Sequence, residues 1–147
     1  MGNTYSFRDV AASLVGPTGS ANLAYGAGAA DEGITLSPTG DKNTMVVGAD
    51  GNVMHSLHAD QSGVVTVRLL KTSPTNAILQ AMYDAQQISS SLWGQNVITV
   101  EQKASGDIST NTSCAFKKKP EIKYGKDGDI MEWAFDTGRL QSFLGTY

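Results

Sequence analysis

The chain has little of what catalytic or cross-linked small proteins rely on. Among its 147 residues there is one cysteine, Cys114, which excludes an internal disulfide and a multi-cysteine zinc site and reads as a small buried apolar residue. Its two histidines, His55 and His58, sit three apart in an alternating run. A strand puts such a pair on opposite faces, so they are ill placed to chelate one metal and read as surface or core-edge side chains. Charge is sparse and nearly balanced, 11 basic against 14 acidic residues for a net of −3, too mild for an acidic tail and the wrong sign for a dedicated nucleic-acid binder. No apolar run approaches the roughly 18 residues of a membrane span, and Met1 to Val10 lacks the apolar stretch of a signal peptide. The expectation is a soluble protein that folds in the cytoplasm.

Catalytic signatures are equally scarce. No nucleophile elbow, Walker loop or His-Glu-x-x-His sequence occurs, and no cofactor or metal site is expected. Gly26-Ala27-Gly28-Ala29-Ala30-Asp31 opens like a dinucleotide loop, but it lacks the third glycine and any βαβ context, so it reads as a small-residue loop. The carboxylate pairs Asp31-Glu32 and Asp127/Asp129 lie in loops beside glycine. A hydrolase would need two carboxylates converging across a cleft, and no substrate suggests itself. The myristoylation pattern Met1 to Ser6 and the sequon Asn111-Thr112-Ser113 are short matches without supporting context.

What is present is the material of short strands and tight turns: sixteen glycines, fourteen serines and thirteen threonines. In Val65-Thr66-Val67-Arg68-Leu69 the odd positions are apolar and the even ones polar. The same alternation puts Met131, Trp133 and Phe135 on one face and Glu132 and Asp136 on the other. Near the N-terminus the apolar positions change parity between Tyr5/Phe7 and Val10/Ala12/Leu14, which calls for a bend or bulge around Arg8-Asp9. Further strands are expected at 21–25, 33–37, 43–48, 53–59, 96–103, 109–117 and 121–124, with Asp50-Gly51 and Asp127-Gly128 among the turns. One segment, 73–90, breaks the period. Ser73 caps it, Pro74 opens it, and Ile78, Leu79, Met82 and Tyr83 form its inward stripe, giving one amphipathic helix. The whole chain reads as a single mainly β domain, an antiparallel sandwich or barrel with one flanking helix that closes an open face or edge.

Charge is unevenly distributed. Residues 1–60 hold six acidic residues against two basic, whereas Lys117-Lys118-Lys119, Lys123 and Lys126 cluster late in the chain. The lysines read either as a solvated strand end or as a basic surface that meets an acidic one on another copy of the chain.

The runs Glu32-Gly33-Ile34-Thr35-Leu36, Asp41 to Met45, Gly48 to Leu57 and Gly63 to Asn76 resemble the tail tube proteins of contractile-tailed bacteriophages. Similar runs follow at Trp93 to Asn96, Cys114 to Lys118 and Tyr124 to Asp136, so the likeness spans about Tyr5 to Gly145. The resemblance implies a non-enzymatic structural subunit with a sandwich fold, forming rings of six copies that stack into a hollow tube for DNA ejection. It also implies a virion location, assembly in the host cytoplasm, and sheath, baseplate and terminator proteins as partners, with no membrane. Related tubes occur in contractile bacteriocins and type VI secretion.

In such tubes a long hairpin in the first half of the chain reaches a neighbour. Here the candidate is 38–62, with Met45, Val47, Asp50, Asn52, Val53, Met54 and Leu57, together with Lys117, Lys118 and Lys119, as candidate interface residues. Thr66, Arg68, Glu132 and Asp136, on the wet face of core strands, are candidate lumen residues. A polar, mildly acidic lumen would let DNA slide rather than stick. The alternatives are another virion component, such as a decoration or tail-terminator protein, and a ligand-binding β-sandwich with Trp93 and Tyr147 as its exposed platform.

Overall fold

A computed structural model describes residues 4–24 and 29–146. Nine strands, one α-helix and a 3₁₀ turn are described, in the order 3₁₀ turn (Phe7–Asp9), β1 (Val10–Gly16), β2 (Gly19–Asn22), β3 (Ala29–Pro38), β4 (Asn43–Val47), β5 (Val53–Leu57), β6 (Gly63–Leu70), α1 (Thr75–Gln86), β7 (Asn96–Gln102), β8 (Asp107–Lys118) and β9 (Ile130–Phe143). Seven strands form one antiparallel sheet in the order β2-β1-β7-β8-β9-β6-β3, while β4 and β5 pair only with each other. This agrees with the mainly β, antiparallel expectation with a single helix.

Alternation decides which face is buried. Val65, Val67 and Leu69 of β6 lie beside Phe135, Trp133 and Met131 of β9, and the first five of these are fully buried. From the other half of the sheet, Ala12, Leu14 and Ile98 enter the same core. The sheet therefore curls until its halves face each other. The curl also brings β3 towards the start of the chain, where the position a Cβ would occupy on Gly33 lies 3.2 Å from the Phe7 ring.

Two local devices permit the curl. The parity change before β1 is absorbed by the 3₁₀ turn, where the Arg8 N–H donates to the Ser6 hydroxyl and the Asp9 N–H to the Ser6 carbonyl. On β8 the strand bends at Ser113, the one described non-glycine residue with positive φ, +54°. It falls where the β8–β9 ladder passes from Thr112↔Arg139 to Cys114↔Thr137, opposite Gly138. A Cβ on Gly138 would stand 3.0 Å from that of Ser113, so glycine makes the bend possible.

Helix α1 lies against β2. Ser73 Oγ accepts the Thr75 N–H at 3.3 Å, and Pro74 already has helical dihedrals, as the capping pattern required. The helix is shorter than the expected 73–90. Beyond Gln87 the hydroxyls of Ser89 and Ser91 bond locally, competing with continued helix. The expected inward stripe also needs correction. Leu79 and Met82 are buried, but Ile78 is 44% exposed, and the stripe is completed by the polar Asn76 and Gln86.

The expected strand at 121–124 is absent. Residues 119–129 form a loop, exposed except at Pro120, because β9 is already flanked by β8 and β6 and leaves no edge to pair with. Strand β2 runs Gly19–Asn22 rather than 21–25. Tyr25 and the loop at 26–28, Met1 to Asn3 and Tyr147 lie outside the described residues, as do the side chains of the Asp31-Glu32 pair.

Candidate functional site

Three surfaces hold the candidate residues, and none resembles a catalytic centre. The first is the β4–β5 hairpin. Met45, Val47, Val53 and Leu57 lie on one face of the ribbon and Val46 and Met54 on the other, and all are more than half exposed. A two-stranded ribbon whose faces are both apolar and both uncovered gains nothing from its own domain.

Asp50 and Asn52, two of the expected interface residues, shape the hairpin's turn. Asp50 Oδ1 accepts the Asn52 N–H at 3.2 Å and Oδ2 accepts from Asn52 Nδ2 at 2.6 Å, while Gly51 takes a φ of +88°. His55 and His58 sit on the same exposed hairpin, 3.2 Å from Asn43 Nδ2 and 2.7 Å from Thr44 Oγ1 respectively.

At the hairpin's exit, Asp60 accepts from both the hydroxyl and the N–H of Ser62, at 2.6 and 2.9 Å. These bonds hold its carboxyl below the usual carboxylate range, with Lys42 and His58 adding to the effect. The chain then enters β6 at Gly63, where a Cβ would meet the Ser37 carbonyl oxygen at 2.8 Å.

The second surface is the outer face of β3, β6 and β9. Arg68 sits at its centre: its Nε donates to Glu132 Oε2 at 3.2 Å and its Nη1 to Thr35 Oγ1 at 3.0 Å. Thr66 lies between Thr35 and Ala134, and Asp136 between Val64 and Ala115. The structure thus gathers Thr66, Arg68, Glu132 and Asp136 on one polar face, with Thr35 added.

The third surface is the strand end at which β6 and β8 stop and β9 begins. Lys117, Lys118 and Lys119 are exposed there, past a register shift between Phe116 and Lys118. The 119–129 loop adds Lys123 and Lys126, and Lys71 Nζ sits 4.4 Å above the ring of Tyr124.

The remaining chemistry is structural. Cys114 is buried, and burial pushes its thiol pKa up, so the thiol stays protonated and inert. Trp93 stands edge-on to Tyr83 at 6.0 Å and packs partly against the core, so only part of its ring faces solvent. Asp129 is occupied in part by the Ile130 N–H at 2.8 Å. Among the described residues no three His, Cys, Asp or Glu side chains are placed to hold a metal, and no helix is long and apolar enough to cross a membrane.

The family model described as bacteriophage PhiTE tail tube protein matches residues 2–145. The chain belongs to this tail tube family. It is thereby a structural, non-enzymatic phage protein, as the sequence runs implied.

Solved structures share the fold at low identity. The chain is similar to a protein of the PVC sheath-tube complex, an extracellular contractile injection system in its extended state, with a TM-score of 0.61 at 10% identity over 96% of this chain and 92% of that one. It is also similar to a protein of the sheath/tube terminator of the same system, with a TM-score of 0.59 at 13% identity over 97% and 98%. A third is in the tube-terminating cap of the anti-feeding prophage, with a TM-score of 0.56 at 9% identity over 99% and 95%. No curated protein sequence aligns significantly with the chain.

Proposed function

We propose that the protein is the repeating subunit of a contractile-type phage tail tube, assembled in the bacterial cytoplasm as hexameric rings that stack into the channel for DNA ejection. The observation that carries this reading beyond family membership is the β4–β5 hairpin, whose apolar side chains on both faces stand more than half exposed. A ribbon of this kind is stabilised when neighbouring copies bury both faces, at about 25 cal/mol per Å² of apolar surface removed from water. The polar face around Arg68 suits a water-filled lumen, where Glu132 and Asp136 add negative charge that keeps DNA from adhering. Sheath, baseplate and terminator proteins are the expected partners, as the contractile systems sharing the fold contain such parts by name.

A terminator reading is the second possibility, favoured by the likeness to a sheath/tube terminator protein. The two differ in whether growth stops. Light scattering on the purified chain over a concentration series separates them: mass that rises without limit supports a tube subunit, and a fixed ring mass supports a terminator.

A further inference from the structure

The curled sheet leaves an apolar cleft at one strand end, of about 310 Å³, between the 3₁₀ turn, β3, the start of β8 and the end of β9. Phe7, Ile34, Ile108 and Phe143 form its walls, while Ser109 and Ser142 supply polar lining. Its mouth is strongly apolar for a surface: Tyr5, Phe143 and Leu144 are 62%, 69% and 78% exposed. Nothing in the proposed roles of the hairpin or the lumen face uses this cleft.

At the opposite strand end, the 119–129 loop holds up Tyr124, 86% exposed, with Ile122 half-exposed beside it. Two contacts fix the loop's position and leave most of the tyrosine exposed: the Lys71 ammonium over the Tyr124 ring and the Lys71 N–H bonded to the Asp129 carbonyl. Charge divides the same way. The cleft end carries Asp9, Asp41, Asp60, Glu101 and Asp107 against Arg8, Lys42 and Lys103. The loop end carries Lys71, Lys117, Lys118, Lys119, Lys123 and Lys126 against Glu121, Asp127 and Asp129.

We propose that the cleft of one copy receives Tyr124 and the lysine-rich 119–129 loop of the next copy along the stack. The contact rests on the stacking reading above and deepens it by naming the residues that meet. A tyrosine suits the site: its ring fills an apolar slot while its hydroxyl reaches polar groups at Ser109 or Ser142. Lys123 and Lys126 then face an end with more carboxylates than basic groups, Asp107 on the cleft wall among them, which favours this register over others. Because cleft and loop lie at opposite ends of one sheet, a copy cannot fill its own cleft. The contact is head-to-tail and generates an open stack rather than a closed pair. The hairpin is the competing occupant, but it leaves from the cleft's own end, and its turn brings the carboxylate of Asp50 and no lysine to the rim.

The test pairs Tyr124→Cys with Leu144→Cys in one chain; both positions are exposed, so folding is undisturbed, and the native Cys114 is buried. A second chain pairs Leu57→Cys with Leu144→Cys to report on the hairpin. Both are concentrated until assemblies appear by electron microscopy, oxidised, and run on non-reducing gels. A ladder of covalent oligomers from the 124/144 chain is expected, since each copy offers both partners. Assemblies that give no such ladder, or a ladder only from the 57/144 chain, overturn this contact and leave stacking intact. Failure of both chains and of the unmodified protein to assemble overturns the stacking reading, and the contact with it. As a second measure, Tyr124→Ala is expected to raise the concentration needed for assembly about tenfold, as loss of an aromatic anchor does. An unchanged threshold contradicts the proposal.

Discussion

At Asn76 one amide joins helix, strand and core. Its Nδ2 donates to the Leu70 carbonyl at 2.9 Å, and its Oδ1 accepts the indole N–H of fully buried Trp133 at 3.1 Å. Asn76→Ala leaves that N–H unpaired in the core and is expected to destabilise the fold by about 1–3 kcal/mol, read from urea unfolding followed by tryptophan fluorescence. Gly138 is a second such position. Gly138→Val drives a branched side chain into the Ser113 bend and is expected to cost about 1–3 kcal/mol or to prevent folding, whereas Gly128→Ala, with open space around it, is expected to be near neutral. Asp60 gives the acid-side prediction. Its folded pKa lies below its unfolded value, so its bonds to Ser62 stabilise the hairpin exit above the unfolded pKa and are lost as pH falls through the folded one. NMR titration of the Asp60 carboxyl should show a midpoint below the ordinary aspartate value, returning towards it in Ser62→Ala. Neither Asn76 nor Gly138 announced itself in the sequence, because each role depends on a partner far along the chain or on the space left by a neighbour.

Among the elements, those legible in sequence are the ones whose burial follows a simple period. Val65, Val67 and Leu69, and Trp133 and Phe135, alternate with polar residues, and two strands with that pattern find each other as β6 and β9. The helix shows the limit of the same reasoning. A polar Asn76 and Gln86 replace Ile78 on its buried stripe because each has a partner in the sheet. Gln86 and Asn96 exchange two amide bonds at 2.8 Å, a reciprocal pair that apolar periodicity does not register. The failed strand at 121–124 has the complementary cause: Glu121 to Tyr124 alternate well enough, but the strands on either side of them in the chain, β8 and β9, are already paired along both edges. The hairpin is separable from all of this. Replacing 43–57 by a short glycine-serine turn should leave the monomer's unfolding midpoint nearly unchanged, because β4 and β5 pair with no strand of the seven-stranded sheet, while abolishing assembly. A large loss of monomer stability would show that the hairpin belongs to the domain.

On the scale of the whole molecule, the chain is a curled sheet with unlike ends and one ribbon projecting from it. The family was readable because runs of structural residues extend along nearly the whole sequence. The cleft was not, since it is assembled from segments between Tyr5 and Leu144 that meet only when the sheet curls. The unlike ends favour indefinite head-to-tail growth, and the partly electrostatic contact implies that added salt should raise the concentration at which growth begins. Electron microscopy of the purified chain over a concentration series, with the mass of the same samples from light scattering, tests the central claim most directly. The account predicts hollow tubes of stacked sixfold rings, with a mass that grows with concentration and a central channel wide enough for duplex DNA. Compact monomers at every concentration, even with tube ends added as seeds, would contradict it.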